Sequence, residues 1–307
     1  MVGKSLVIVN PVAGQGAALA RLPEVKQLLA DSRLEHEIVL TERPMHAAQL
    51  AEQAALDGAE AVIAAGGDGT ANEVLNGLMR ARPSARRLSA LGILCIGRGN
   101  DFAFGAGIPT DLAEGCLVLA EGYRRPMDVG LIVGGDFPQG RYFGNGIGVG
   151  FDAAVGFETL KIHWTRGLLA YLIGTIKTVF LYFNPPRLKI TLDDETITQV
   201  SLMVSIMNGK RMGGGFKMAP ESKSDDGLFD LCIVETASKG RIFGLIPYFL
   251  GGTQATQPEV KMRRSRRAEI KALDGTFPAH ADGETLCLNG SSLTLELLPL
   301  ELEIICA

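Results

Sequence analysis

The chain carries Gly66-Gly67-Asp68-Gly69-Thr70-Ala71-Asn72-Glu73 directly after the apolar run Ala61-Val62-Ile63-Ala64-Ala65 and directly before a helix-like pattern. A strand, a glycine turn and a helix start together make a place for phosphate, because bare backbone approaches the ligand and N–H groups point at it. Neither common phosphate motif fits, since G-x-G-x-x-G and G-x-x-x-x-G-K-[ST] are both out of register here. Asp68 inside the turn repels phosphate unless a metal or a hydrogen-bonded network holds it, which points to a magnesium–nucleotide complex. Thr70 either caps the helix or donates to phosphate, and Val74, Leu75, Leu78 and Met79 give that helix an apolar face. The plainer reading is a tight strand-to-helix turn with a capping aspartate.

The elements that must position this turn alternate up to about residue 125. Strand-like runs lie at Leu6–Val9, Ile38–Leu40, Val62–Ala65 and Leu91–Ile96, with helices near Ala17–Leu29, Met45–Leu56, after the glycine turn and near Leu112–Leu119. Such alternation predicts a parallel sheet covered by helices. Open α/β sheets bind ligands beyond the carboxyl ends of their strands, where this chain places Asn10-Pro11-Val12-Ala13-Gly14, Thr41 and Gly66 onward.

After Tyr123-Arg124-Arg125-Pro126 the pattern changes to short β-type runs separated by glycine, asparagine and aspartate. These are Val129–Val133, Tyr142–Val149, Leu188–Leu192, Ser201–Ile206, Leu228–Val234, Ala268–Ala272 and Leu293–Leu298, interrupted by one helical insertion near Arg166–Phe183. The expected fold is an α/β nucleotide-binding domain with a parallel sheet over residues 1–125, followed by a mainly antiparallel β-sandwich-like domain over residues 126–307. A return of the extreme C-terminus to the first domain is left open, and the active site is expected between the domains.

The 307 residues are 47% hydrophobic and 21% charged, an ordinary balance for a packed core. A net charge of −4 gives no sign of a nucleic-acid partner. Cys95, Cys116, Cys232, Cys287 and Cys306 lack metal-ligand spacing and read as reduced core residues of a cytosolic protein. His36, His46, His163 and His280 show no metal spacing either. The start has no signal-peptide core, and the longest apolar stretch, Leu168–Phe183, is 16 residues against the roughly 20 that a spanning helix needs. A cytoplasmic protein, peripheral to the membrane at most, is the expectation.

The glycine motif continuing into Asn72-Glu73-Val74-Leu75-Asn76-Gly77 resembles the catalytic signature of the diacylglycerol kinase and sphingosine kinase superfamily, especially its soluble bacterial lipid kinases. Val9–Gly14, Gly99-Asn100-Asp101-Phe102-Ala103, Asp225-Asp226-Gly227-Leu228 and Asp282-Gly283-Glu284 extend the match in order over nearly the whole chain. The resemblance implies ATP-dependent phosphoryl transfer to a lipid hydroxyl. Asn10, Pro11, Gly14, Thr41, Gly66, Gly67, Asp68, Gly69, Thr70, Ala71 and Asn72 would then hold the nucleotide. It makes Glu284 the general base and places Asp68, Asp101 and Asp226 in an acidic network around magnesium. It also implies a structural magnesium on Asp226 and the carbonyls of Lys223 and Leu228. These roles suit a reaction that needs positioned phosphates, neutralised charge and an acceptor for the hydroxyl proton. Read alone, Asp282-Gly283-Glu284 is a surface hairpin turn.

The chain departs from the family at Cys95-Ile96-Gly97-Arg98, where relatives carry Pro-x-Gly-Thr. Arg98 at this nucleotide-site position either adds charge to phosphate or fills the space that the nucleotide should occupy. Phe104 replaces an arginine of many relatives.

The acceptor side is read from Trp164–Phe183, where Leu168, Leu169, Leu172, Ile176, Val179 and Phe180 fall near helical spacing beside Arg166 and Lys177. Ile242–Leu250, after Lys239 and Arg241, is a second apolar patch. Each is either part of an acyl entrance or a core helix. Lys261-Met262-Arg263-Arg264-Ser265-Arg266-Arg267 is either a membrane-docking patch or an edge strand. The expected partners are a lipid substrate and, transiently, a membrane surface, with a homodimer left open. Against the lipid kinase stand two alternatives: a kinase of the NAD-kinase type, and a nucleotide- or lipid-binding protein without turnover.

Overall fold

The computed structural model describes residues 4–97, 99–162, 164–165, 167–181 and 184–307. The chain forms two compact units, Met1–Val129 with Pro299–Ala307, and Gly130–Leu298. The ends of the helical insertion expected at Arg166–Phe183 lie outside the described residues, as does Arg98.

In the first unit β1 (Ser5–Val9), β2 (His36–Leu40), β3 (Ala61–Gly66) and β4 (Ala90–Cys95) pair in parallel in the order β2-β1-β3-β4. β3 and β4 are buried along their whole length, which is why they read as unbroken apolar runs rather than alternating ones. Six helices accompany them: α1 (Ala17–Ala20), α2 (Leu22–Asp31), α3 (His46–Leu56), α4 (Asp68–Ala81), α5 (Asp101–Gly105) and α6 (Leu112–Glu121). The single helix expected over Ala17–Leu29 is two, because the chain breaks at Arg21 and Pro23 stands in the first turn of α2. α5 was not anticipated, being only five residues long.

β5 (Arg124–Gly134) carries the chain into the second unit, which contains β6 (Phe137–Phe143), β7 (Gly146–Gly150), α7 (Phe151–Leu160), α8 (Gly167–Leu181), β8 (Arg187–Leu192), β9 (Thr196–Met207) and β10 (Phe229–Glu235). α9 (Lys239–Gly251), β11 (Val260–Ser265), β12 (Arg267–Ala272), β13 (Phe277–Ala281), β14 (Glu284–Gly290) and β15 (Ser292–Ile305) follow. β9 belongs to both sheets of a sandwich: Thr196–Val200 pairs with β8, and its second half pairs with β7 and β10. Ile132, Phe143, Ile190, Val204, Phe229 and Ile270 fill the space between the sheets, with Phe143 and Phe229 stacked at 5.5 Å. On the far side of β10, Cys232 and Val234 pack with Val155, Val179, Ile242 and Phe249 from α7, α8 and α9. α8 and α9 match the helix expected near Arg166–Phe183 and the core-helix reading of Ile242–Leu250, whereas α7 was not expected. The run expected as one strand over Tyr142–Val149 is two, β6 and β7, separated at Gly144-Asn145.

Among the buried titratable groups of this unit, Asp152 and His280 lie beside each other. A methyl placed on Gly148 would meet both of them, at 2.5 Å from His280 Nε2 and 2.7 Å from Asp152 Oδ2. Burial pushes the Asp152 carboxyl up to about 7, against the hydrogen bond it accepts from Ser205 Oγ at 2.7 Å. Burial lowers His280 to about 4, and its Nδ1 is buried without a partner among the described residues. Folded Asp152 holds its proton where the unfolded chain has released it, so its contribution to stability falls as pH rises from about 4 to 7. His280 acts in the opposite sense, costing stability as pH falls from about 6.5 towards 4. The Asp152→Asn protein should therefore gain on the wild type between pH 5 and pH 8, by on the order of 2 kcal/mol in urea unfolding. An equal difference at both pH values would refute this assignment.

Candidate functional site

The first unit gathers its site at the carboxyl ends of its parallel strands. Asn10 follows β1, donates its backbone N–H to Ala65 O at 3.1 Å, and turns on itself as its Oδ1 accepts from Val12 N at 3.2 Å. Its Nδ2 donates to Thr70 Oγ1 at 3.1 Å. Thr70 thus does not cap α4: the N-cap is Gly67, which has no side chain, and Thr70 sits one turn inside the helix. Thr41 N donates to Val9 O at 2.9 Å, which brings the end of β2 beside that of β1. Gly14 follows in the same loop as Asn10 and Pro11, in the left-handed region at φ 60°.

The turns after β3 and β4 face each other. Ile96 N donates to Gly66 O at 2.8 Å, and a methyl on Gly97 would lie 2.4 Å from Gly67 Cα. No side chain fits at Gly97, which therefore requires glycine, and a methyl on Gly67 would be tight at 3.1 Å from Gly97 Cα. Asp68 begins α4, and its Oδ1 accepts from Phe102 N, at the start of α5, at 2.9 Å. A methyl on Gly99 would stand 3.0 Å from Asp68 Oδ2 and 3.2 Å from Asp101 Oδ2, so these two carboxylates border one small space. That donor set suits a divalent cation. Gly67, Asp68 and Gly69 are partly exposed, and Gly66, Thr70, Ala71 and Asn72 are buried beneath them. Glu73 serves another purpose: its carboxylate accepts from Met45 N at 2.9 Å and Ala47 N at 3.1 Å, capping α3. Nothing in the motif's glycine spacing signals that role.

The second unit holds the other proposed residues. Glu284 opens β14 directly after the two-residue turn Asp282-Gly283, with φ of 47° and 85°. This is the hairpin that Asp-Gly signals, yet Asp282 is only 4% exposed rather than at the surface. Asp226 lies in an exposed turn with Lys223 and Leu228. Its Oδ1 accepts from Leu228 N at 3.2 Å and its Oδ2 binds the Arg264 guanidinium. A cation on Asp226 must therefore displace or share with Arg264. Among the described residues no group of three or more His, Cys, Asp and Glu side chains gathers as a metal cluster.

The basic run forms β11 and the start of β12, with acidic or polar groups facing most of it. Arg263 binds Glu195, Arg264 binds Asp226, Arg267 meets Glu296 at 2.8 Å, and Lys261 donates to Gln199 at 2.7 Å. The edge-strand reading fits β11, which pairs only with β10. α8 is more unusual. Its buried positions are Ala170, Gly174, Thr175, Thr178 and Val179, and its exposed ones include Leu168, Leu169, Ile176, Phe180 and Leu181. The fully buried positions are small or β-branched, Tyr171 and Leu172 pack partly against the core, and several large apolar residues remain outward, unlike the polar outer face of an ordinary surface helix.

The diacylglycerol kinase catalytic domain matches residues 4–132, and the YegS C-terminal NAD kinase beta sandwich-like domain matches residues 145–306. The chain belongs to the family of the YegS C-terminal NAD kinase beta sandwich-like domain and carries a diacylglycerol kinase catalytic domain ahead of it. The diacylglycerol kinase of Bacillus subtilis strain 168 is 29% identical over 92% of each chain. That of Staphylococcus saprophyticus is 29% identical over 92% of this chain and 88% of its own length. A diacylglycerol kinase crystal structure from Bacillus anthracis str. Sterne shares the fold, with TM-score 0.74 at 22% identity over 99% of this chain and 97% of its own. An NAD kinase from Archaeoglobus fulgidus shares it more remotely, with TM-score 0.50 at 12% identity over 98% and 93%. The catalytic-domain match and the diacylglycerol kinase relatives together make the protein a lipid kinase.

The glycine contact in the first unit yields a direct test. Gly97→Ala must push the two turns apart, so isothermal titration should show ATP binding weakened at least tenfold, while the circular dichroism spectrum stays that of the wild type. Unchanged affinity would show that the contact is not needed.

Proposed function

We propose that the protein transfers the γ-phosphoryl group of ATP, with magnesium, to the free hydroxyl of a diacylglycerol-like or sphingoid-like lipid. The observation that carries this reading is the shared space bordered by Asp68 and Asp101 beside the facing glycine turns. Bare backbone at Gly67 and the start of α4 suits phosphate, and the loop from Asn10 through Pro11 to Gly14 with Thr41 lines the neighbouring strand ends. Magnesium, when bound, neutralises charge that builds on the transferred phosphoryl group. Asp68 and Asp101 would hold it, and with Arg264 withdrawn Asp226 and the carbonyls of Lys223 and Leu228 would hold a second, structural ion. In sequence Arg98 stands between Gly97, whose turn faces Gly67, and Gly99.

The acceptor oxygen attacks the γ-phosphorus, the bond to the bridging oxygen of ADP breaks, and the hydroxyl proton passes to the Glu284 carboxylate. A diacylglycerol-type hydroxyl is far too weak an acid to ionise unaided near neutral pH, which is why a positioned base is needed. The purified protein should release ADP only when a lipid with a free hydroxyl is supplied, and not with NAD as acceptor. Glu284→Gln should lower kcat at least a hundredfold without changing the thermal midpoint. Release of ADP at the same rate without lipid would reject the lipid acceptor.

The outward face of α8 supports docking on an anionic bilayer during the reaction. Trp164 is 75% exposed just before it, and Phe180 lies under Lys239 Nζ at 5.4 Å from the ring centre. Lys161 and Lys177 flank the stripe. Aromatic, apolar and lysine groups in this order suit the headgroup boundary, with cations at the phosphates and Leu169, Ile176 and Phe180 below them. The double variant Ile176→Glu, Phe180→Glu should lose at least tenfold in co-sedimentation with phosphatidylglycerol vesicles. Equal sedimentation would reject this face, and a protein found dimeric through it would assign it to a second copy.

A further inference from the structure

Four buried polar residues of the second unit connect the Glu284 hairpin to the turn that carries Asp226. The Asp282 carboxylate accepts three consecutive backbone N–H groups: Gly144 N at 2.8 Å on Oδ2, and Asn145 N at 3.0 Å and Gly146 N at 2.9 Å on Oδ1. Its own N–H donates to Gly146 O at 3.0 Å, continuing the β7–β13 ladder by one step. Asn145 O then accepts from Asn208 N at 2.9 Å and Gly209 N at 2.7 Å, and Asn145 Nδ2 donates to Arg211 O at 3.1 Å. Asn208 Nδ2 returns to Gly144 O at 2.9 Å. Ser222 Oγ donates to Asn208 O at 3.1 Å, one residue before the turn from Lys223 to Leu228 begins. Asp282, Asn145, Asn208 and Ser222 are each at most 4% exposed.

A turn of this kind does not need a carboxylate. The φ values of Asp282 and Gly283 are those of a type I′ hairpin, for which Asn-Gly serves at least as well as Asp-Gly. A carboxylate buried against three amides is more than turn chemistry, because hydrogen bonds to a charged acceptor are the strong ones and a low-dielectric site strengthens them. The side chain is two residues from Glu284 and fixes the strand that delivers it.

We infer that Asp282 is a positioning residue: through its clamp on Gly144–Gly146 and the Asn145–Asn208–Ser222 chain, it holds Glu284 in fixed register with the Asp226 turn. This rests on Glu284 being the general base. A base misplaced by about 1 Å loses on the order of a hundredfold in rate, so a loosened clamp shows in turnover before it shows in nucleotide binding.

Asp282→Asn is the informative variant, because it preserves the turn and removes only the charge and one acceptor. In the full-length protein with ATP, magnesium and diacylglycerol vesicles, kcat should fall roughly ten- to a hundredfold while KM for ATP stays within about twofold. In a double-mutant cycle with Glu284→Gln, Asp282→Asn should add no further loss, since it acts through a group already removed. Asn145→Ala, which leaves Asp282 and its turn in place, should show the same selective fall in kcat and serves if the first variant does not fold. Losses that multiply in the cycle, or wild-type kcat in folded Asp282→Asn, overturn the positioning role alone. Wild-type turnover in Glu284→Gln overturns the base assignment itself and the inference with it.

Discussion

The site in the first unit depends on two turns being close enough for their backbones to touch. The parallel register sets this up, since β3 and β4 pair from Ala61 with Ala90 through to Gly66 with Cys95, ending both strands at the same level. Ile96 N then binds Gly66 O, and the turns must run side by side. With a side chain at residue 97 the turns would have to separate, and at residue 67 they would have to shift by a few tenths of an ångström, which would loosen the reach of Asp68 to Phe102 N. Two glycines therefore determine where a carboxylate sits. For the proposed phosphate role this meets the difficulty of an acidic residue in the turn, because Asp68 accepts from an amide of the next loop and borders one space with Asp101.

The second unit achieves comparable rigidity with different chemistry. Its β10 is apolar on both faces, Phe229, Leu231 and Ile233 towards the other sheet and Cys232 and Val234 towards the helices. Its register is set by the ladders it forms with β9 and β11, which place Phe229 beside Ser265 and Asp230 beside Met207. The loops at its end lie outside those ladders, and their amides and carbonyls must still be satisfied. Asn145, Asn208 and Asp282 satisfy them with side chains, and the rigidity of the sheet extends into the turns through those hydrogen bonds.

Much of this was legible in the sequence where the signal is local. Parallel strands followed by glycine turns announced themselves at Ala61–Gly69, and Asp-Gly announced the hairpin before Glu284. What was not legible depends on distance along the chain. The capping of α3 by Glu73 joins residues 26 and 28 positions apart, and the Asp282 clamp reaches back 136 to 138 positions. The split of Tyr142–Val149 into β6 and β7 follows from that clamp, which no periodicity in the run itself reveals. Likewise the basic run from Lys261 to Arg267 looks like a free patch only until β10, β8 and β9 bring Asp226, Asp230, Glu195 and Gln199 against it.

α8 shows how the same reasoning separates stability from function. Its inward positions are small or β-branched, with Thr175 and Thr178 hydroxyls returned to the Tyr171 and Gly174 carbonyls of the helix itself. This lets α8 lie close against α7, where Val155 and Thr159 meet Gly174. The helix is held by these small residues together with Tyr171 and Leu172, and Phe180 touches Phe243 of α9 at 6.2 Å between ring centres, while Leu169, Ile176 and Phe180 still leave apolar surface in water. Scattered exposed leucines need no explanation, but a contiguous stripe does. A residue pattern that costs solubility has to be accounted for by something outside the folded unit. On the proposed function, the bilayer that carries the lipid substrate would be the environment in which such a stripe is stable.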